Sequence, residues 1–225
     1  MRFLAKIGNI VWKDLVAEFR TKEMISAMMI FSVLVIVMFA FAFKPVGDTI
    51  KAVSPGIIWV AFTFSGILGL NRSFVNEKQN ETLTGLMLTP VDRTAIYFGK
   101  VITNFIIMAV TEAISLPLFF IMFDYGLAGS ILHLILIIFL GTLGFVSIGT
   151  FLAALSANTR ASEILLPIIL FPILVPLMIG AVQSTAMIFD QKAFAEFAGW
   201  VKLLAVYDII FLVVPFILFD YVLEV

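Results

Sequence analysis

Cysteine is absent from the 225 residues. That excludes disulfides, a thiol nucleophile, iron–sulfur ligation and thiolate zinc sites, and leaves the redox compartment open. Histidine occurs once, as His133, so imidazole can supply a single ligand. Charge is scarce: Asp, Glu, Lys and Arg make up 13% of the chain, where a soluble domain carries about 25%. There is no G-x4-G-K-[ST] run. Gly99 and Lys100 are followed by Val101 and preceded by no matching glycine, so the chain has no phosphate loop of its own. No paired carboxylates, metal-ligand spacing or nucleophile–base set marks an enzyme active site. The net charge of −1 argues against nucleic acid as a partner. No cleavable leader is evident, because the first apolar run follows a charged segment and ends without a small-residue cleavage site.

What is present is apolar. Hydrophobic residues make up 62% of the chain, more than a water-soluble fold can bury. Six apolar runs stand at 25–43, 55–70, 101–123, 131–155, 164–182 and 201–219. About 20 residues cross a hydrocarbon core of roughly 30 Å as a helix. Lipid offers backbone groups no partners, and the alternation of barrel strands is missing, so the runs predict helices. Residues 1–225 therefore read as one all-α transmembrane domain with six spans.

Orientation follows from Lys and Arg. The N-terminal segment, the 71–100 loop and the 156–163 loop together hold ten, and the opposite side holds Lys44, Lys51, Lys192 and Lys202. The excess of positive charge places the N terminus and both loops in the cytoplasm, and six spans return the C terminus there. Residues 2–22 form no span. Leu4, Ile7, Val11, Leu15 and Phe19 recur at helical spacing, which predicts an amphipathic helix at the membrane interface with Trp12 at headgroup level, or a partly exposed helix packed on the bundle. On the outer side, Asp190 is placed to cap a short helix that ends at Gly199, with Phe194 and Phe197 on one face.

The polar interruption at 71–100 is longer than a turn needs. It holds seven charges: Arg72, Glu77, Lys78, Glu81, Asp92, Arg93 and Lys100. A short helix is expected over 77–88, with Leu83, Leu86 and Met87 on one side and Pro90 closing it. Asp92 then caps the third span, whose entry carries Arg93, Tyr97 and Lys100 as interfacial anchors. A rigid amphipathic helix between two spans suits docking of an outside partner; a well-capped loop would look the same.

The loop has the form E-x3-E-T-L-x2-L-x-L-T-P-x2-R. With the N-terminal helix and six spans it resembles the membrane subunit of ABC-2-type transporters. KDLVAEFRTKEM at 13–24, SPGIIWVAFTFSGILGLNRSF at 54–74, LTPVDRTAIYFGK at 88–100 and LPIILFPILVP at 166–176 resemble the heme exporter B (CcmB) family of the cytochrome c maturation system. The resemblance covers nearly the whole chain and implies a bacterial-type inner membrane protein without its own ATPase. It implies four partners: a cytoplasmic ABC ATPase (CcmA-like) that binds the ATP, a heme-handling membrane subunit (CcmC-like), a periplasmic heme chaperone and the lipid bilayer. Heme is handled by the complex, and no cofactor is assigned to this chain. The ATPase-coupling residues would be Glu77, Glu81, Leu83, Leu86, Met87 and Pro90. The family's tryptophan-rich heme motif belongs to the sister subunit and is absent here, where Trp12, Trp59 and Trp200 are scattered. The rival functions are an ABC-2 exporter of a lipid or drug, and a membrane scaffold that transports nothing.

Glu112 stands mid-span, where a charge costs roughly 2.5–3.5 kcal/mol on insertion scales. It reads either as a polar element of a conformational pathway or as a neutral packing residue, with Thr111 and Ser115 available to solvate it. Pro167, Pro172 and Pro176 crowd the fifth span and read as a hinge or as a static kink. His133 reads as an interfacial residue or a lone heme ligand. Gly149, Ala153 and Ala157 make a small-residue row suited to close helix packing.

Overall fold

The computed structural model describes residues 3–43, 48–79, 92–124, 126, 129–157 and 162–222. Among these residues there are seven helices and no strand: α1 (Phe3–Thr21), α2 (Glu23–Ala42), α3 (Asp48–Gln79), α4 (Arg93–Met122), α5 (Ile131–Ala157), α6 (Ser162–Phe189) and α7 (Phe194–Val222). Helices α2 to α7 each contain a stretch long and apolar enough to cross a membrane.

Helix α1 turns Ile7 and Ile10 inward; of the expected stripe, Val11 and Leu15 are half-buried, and Leu4 and Phe19 are exposed along with Trp12, so the helix forms as expected but a different face meets the bundle. A single residue, Lys22, separates it from α2, with φ 55° in the left-handed region. Lys22 offers the new helix no side-chain cap. Glu18 does so from the preceding helix: its Oε1 accepts the Ile25 N–H at 2.8 Å, satisfying one of the orphan donors of a helix start.

The second span is the middle of the 32-residue α3. No glycine or proline interrupts NRSFVNEKQ, so the helix runs past the apolar limit at Leu70 to Gln79. Glu77 therefore lies in the last turn of α3, and the short helix expected to open at Glu77 does not start there. Glu81, Leu83, Leu86, Met87 and Pro90 lie outside the described residues.

Helix α4 begins at Arg93, two turns before its apolar run. Asp92 has the extended backbone of a helix cap (φ −63°, ψ 132°) but makes no side-chain cap; its carboxylate accepts from Lys6 Nζ at 3.2 Å instead. The expected anchors Tyr97 and Lys100 are also corrected, since both are buried, at 0% and 3% exposure. Helix α1 folds over this end of α4. A Cβ on Gly99 would lie 2.7 Å from Ile10 Cγ2, so the glycine is what lets the two helices approach.

The short outer helix capped by Asp190 is not a separate element. Helix α6 continues to Phe189, a turn with Gln191 at φ 56° follows, and α7 starts at Phe194 and runs unbroken to Val222. Glu196 accounts for that start: its Oε1 accepts the Ala193 N–H at 3.2 Å, the reach-back half of a capping box.

Helices α3 and α5 form the centre. Helix α5 packs against α3, α4, α6 and α7, and α3 against α2, α4, α5 and α6. Glycines make their contact close. A Cβ on Gly141 would collide with the Trp59 ring, one on Gly66 with the Phe145 ring, and one on Gly149 with Leu70 Cδ1. Large apolar side chains of one helix fill the notches of the other, a packing that bilayer proteins favour.

Candidate functional site: a buried polar seam across the bundle

One face of α4 is polar and hidden. Tyr97, Lys100, Thr103, Asn104, Thr111, Glu112 and Ser115 recur at roughly helical spacing, and none exceeds 3% exposure. A polar stripe along an apolar span is stable only where other helices supply partners, and several do. Tyr97 Oη donates to the Ser147 carbonyl at 3.1 Å and lies 3.4 Å from that of Phe211, joining α4 to α5 and α7. Asn104 Nδ2 donates to Thr150 Oγ1 at 3.0 Å. Ser115 and Ser32 share a hydrogen bond of 2.5 Å with α2.

Glu112 has a different partner from those its own helix offered. Thr142 of α5 donates to both carboxyl oxygens, at 2.7 and 2.9 Å. Thr111 turns instead to the Ile107 carbonyl of its own helix, and Ser115 to Ser32. The two helices divide the hydroxyls between them. A hydroxyl beside Glu112 on α4 is held by the backbone one turn back or by another helix, whereas Thr142 faces the carboxyl from across the interface.

At the α1 end of the seam, Lys100 Nζ lies 2.8 Å from Asp14 Oδ2, and Lys13 Nζ lies 3.1 Å from Asp14 Oδ1. The buried ammonium is thus matched by a carboxylate from α1, which is not among the helices long and apolar enough to cross a membrane.

Asp208, in the middle of α7, was not singled out by the sequence pattern. Its exposure is 4%, and among the described residues neither carboxyl oxygen has a hydrogen-bond partner. It sits on α5 at Gly144, where a Cβ would collide with Asp208 Oδ1. The signal was available: a lone acid inside a long apolar run, the same signal that marked Glu112.

The remaining expected residues lie apart from the seam. Pro172 and Pro176 are on the exposed side of α6, and Pro167 is half-buried, all within continuous helix. His133 is half-buried near the start of α5, stacked on Phe194 with centroids 5.3 Å apart and edge-on to Phe197 at 5.5 Å. It lines an open, apolar groove of about 440 Å³ with Leu132, Ile135, Leu136, Phe139 and Phe194. Among the described residues, no group of three or more Asp, Glu or His side chains could hold a metal ion.

Six long apolar helices knit together by a buried polar seam define a multi-pass helical membrane protein. The comparison with protein families is specific. The model of the CcmB protein matches residues 5–222, and the chain belongs to that family. Among characterised relatives, it is 27% identical over 170 residues to heme exporter protein B of Pseudomonas aeruginosa, covering 74% of this chain and 76% of that protein. It is 26% identical over 178 residues to heme exporter protein B of Paracoccus denitrificans, covering 71% and 78%. With heme exporter protein B of Escherichia coli K12 the identity is 32% over 94 residues, 42% and 43% of the two chains.

Proposed function

We propose that this chain is the membrane subunit of an ABC-type complex for cytochrome c maturation. It couples ATP hydrolysis by a separate subunit to heme delivery, or to release of a heme-loaded periplasmic chaperone. The observation that carries the reading is the family match over residues 5–222, together with relatives named heme exporter protein B. The lack of a phosphate loop supports an external ATPase, and the Lys/Arg distribution supports an inner-membrane topology with both termini and residues 71–100 in the cytoplasm.

In this mechanism the ATPase grips residues 77–90 through Leu83, Leu86 and Met87, flanked by Glu77 and Glu81 and closed by Pro90. Closure of the ATPase on ATP shifts the loop. Because α3 runs unbroken to Gln79 and α4 starts at Arg93, the shift reaches both helices at their ends. Glu112 then serves as a polar joint between α4 and α5, and Pro167, Pro172 and Pro176 give α6 the compliance to follow. The outer face changes shape, and a periplasmic partner is held or released.

Affinity purification from native membranes tests the reading. The chain should bring down an ABC ATPase, a heme-handling membrane subunit and a periplasmic heme chaperone. Glu81→Lys, Leu83→Asp and Leu86→Asp should insert normally and lose the ATPase. Undiminished recovery of the ATPase with these variants would remove the loop from the mechanism.

A further inference from the structure

Two carboxyl groups lie at one level of the bundle, on either side of α5, and they are treated differently. Glu112 meets Thr142, and Asp208 meets Gly144. Thr142 and Gly144 are two positions apart on α5, so they differ by about 3 Å in height and point to nearly opposite sides. Both oxygens of Glu112 receive a hydroxyl, as expected of an acid built into a core. Both oxygens of Asp208 receive nothing, at 4% exposure.

Among the described residues, the surroundings of Asp208 offer it no donor and no cation. Gly144 presents bare helix backbone, and two apolar carbons crowd the same place: Leu177 Cδ1 of α6 and Tyr207 Cδ1 lie 2.8 and 3.0 Å from the Cβ position at Gly144. The neighbouring Tyr207 hydroxyl donates to the Ile173 carbonyl at 3.1 Å, and the Tyr97 hydroxyl of α4 to the Ser147 carbonyl. Glu112 of α4 stands across α5. Helix α5 contributes no charged side chain, α6 has only Glu163 near its start, and Lys202 of α7 is exposed six residues away. A position that served packing alone would be filled as well by an apolar side chain. A carboxyl kept here without a partner is a group whose partner belongs to another state, and in the interior of a membrane bundle that partner is water.

We propose that Asp208 is a proton-exchange site on a cavity between α5, α6 and α7 that is closed in this state and opens to water in another. In the open state the carboxyl releases its proton to water as hydronium, or the carboxylate takes one up. Gly144 is the seat that accepts the group when the cavity closes. This inference does not depend on the identity of the cargo.

The absence of native cysteine gives a clean test. In native membranes containing the assembled complex, Asp208→Cys should react with a membrane-impermeant methanethiosulfonate at least ten times faster than Ile210→Cys, which faces outward at 47% exposure. The attacking species is the thiolate, which forms only where water reaches the sulfur. Leu177→Cys, at the same Gly144 notch, should behave like Asp208→Cys and serves if the latter does not accumulate. Faster reaction with ATP than without supports both the site and ATP coupling. Equal reaction with and without ATP supports the site and counts against coupling. Rates no higher than that of Ile210→Cys in every nucleotide state overturn the proposal. Infrared spectra give a second readout: a carboxylic C=O band that exchanges with bulk pH and is lost in Asp208→Asn is expected, and a band indifferent to pH also overturns it.

Discussion

Lys100 and Asp14 form a buried ion pair, 2.8 Å apart, between the second turn of α4 and the middle of α1. It is reinforced by the Lys6–Asp92 pair at 3.2 Å and by the seat of Ile10 on Gly99. Helix α1 is therefore strapped to the start of the helix that emerges from the 71–100 loop.

Removing one partner of a buried pair leaves a charge without compensation, which costs about 3–5 kcal/mol. Asp14→Asn should lower the thermal unfolding midpoint of the purified protein in detergent and expose α1 to protease. Joining it with Lys100→Met should restore much of the loss. A double variant as unstable as the single one would show that the ion pair is incidental.

Glu18 caps a helix other than its own. Glu18→Ala should destabilise the α1–α2 corner by about 1 kcal/mol, the usual value of an N-cap. Hydrogen exchange should quicken at the Ile25 amide, with little change at the far end of α2.

Thr142→Val keeps the shape of the residue and removes the hydroxyl directed at Glu112. An unsatisfied buried acceptor costs about 1–3 kcal/mol. Glu112→Gln leaves a carbonyl oxygen for the same hydroxyl and should stay within about 1 kcal/mol of the parent, since a neutral hydrogen bond is worth nearly that much. Equal losses in the two variants would mean that the carboxyl itself, and not its hydrogen bond, holds α4 to α5.

Trp59 is held both by shape and by a bond. Its indole lies in the notch at Gly141, and Nε1 donates to Thr185 Oγ1 at 3.0 Å. Gly141→Ala should cost about 1–3 kcal/mol through overpacking. A double-mutant cycle with Trp59→Phe and Thr185→Val should return a coupling of about 0.6 kcal/mol, the typical worth of a hydrogen bond between spans.

The spans were legible in the sequence because length and apolarity are local properties, and six such runs became six helices. The N-terminal helix was legible for the same reason, though not its inward face, since Ile10 rather than Leu4 or Phe19 turns to the bundle; the close packing at Gly149 was legible too. What periodicity could not supply was the identity of neighbours. Tyr97 and Lys100 stand just before an apolar run, where side chains usually reach the headgroups. They are buried because another helix covers them, a tertiary fact. Thr142 looked ordinary until α5 was laid beside α4. The turn at 190–193 was misplaced because Asp190 suits a cap as well as Glu196 does, and only the backbone decides between them. Asp208 is different. The sequence displayed it, and the cost of a mid-span charge weighs on it as heavily as on Glu112.

The four-residue turn between α6 and α7 has a consequence for biosynthesis. Two spans joined so tightly should enter the bilayer together, as a helical hairpin. The acid of the last span that must reach mid-depth, Asp208, carries an insertion cost of roughly 2.5–3.5 kcal/mol. It travels beside the already apolar α6, in a helix whose most apolar 18-residue window still has a mean hydropathy of 2.4. Lengthening that turn with a flexible insert would make the two helices insert one at a time, and misinsertion of the last helix would then be the first defect to show.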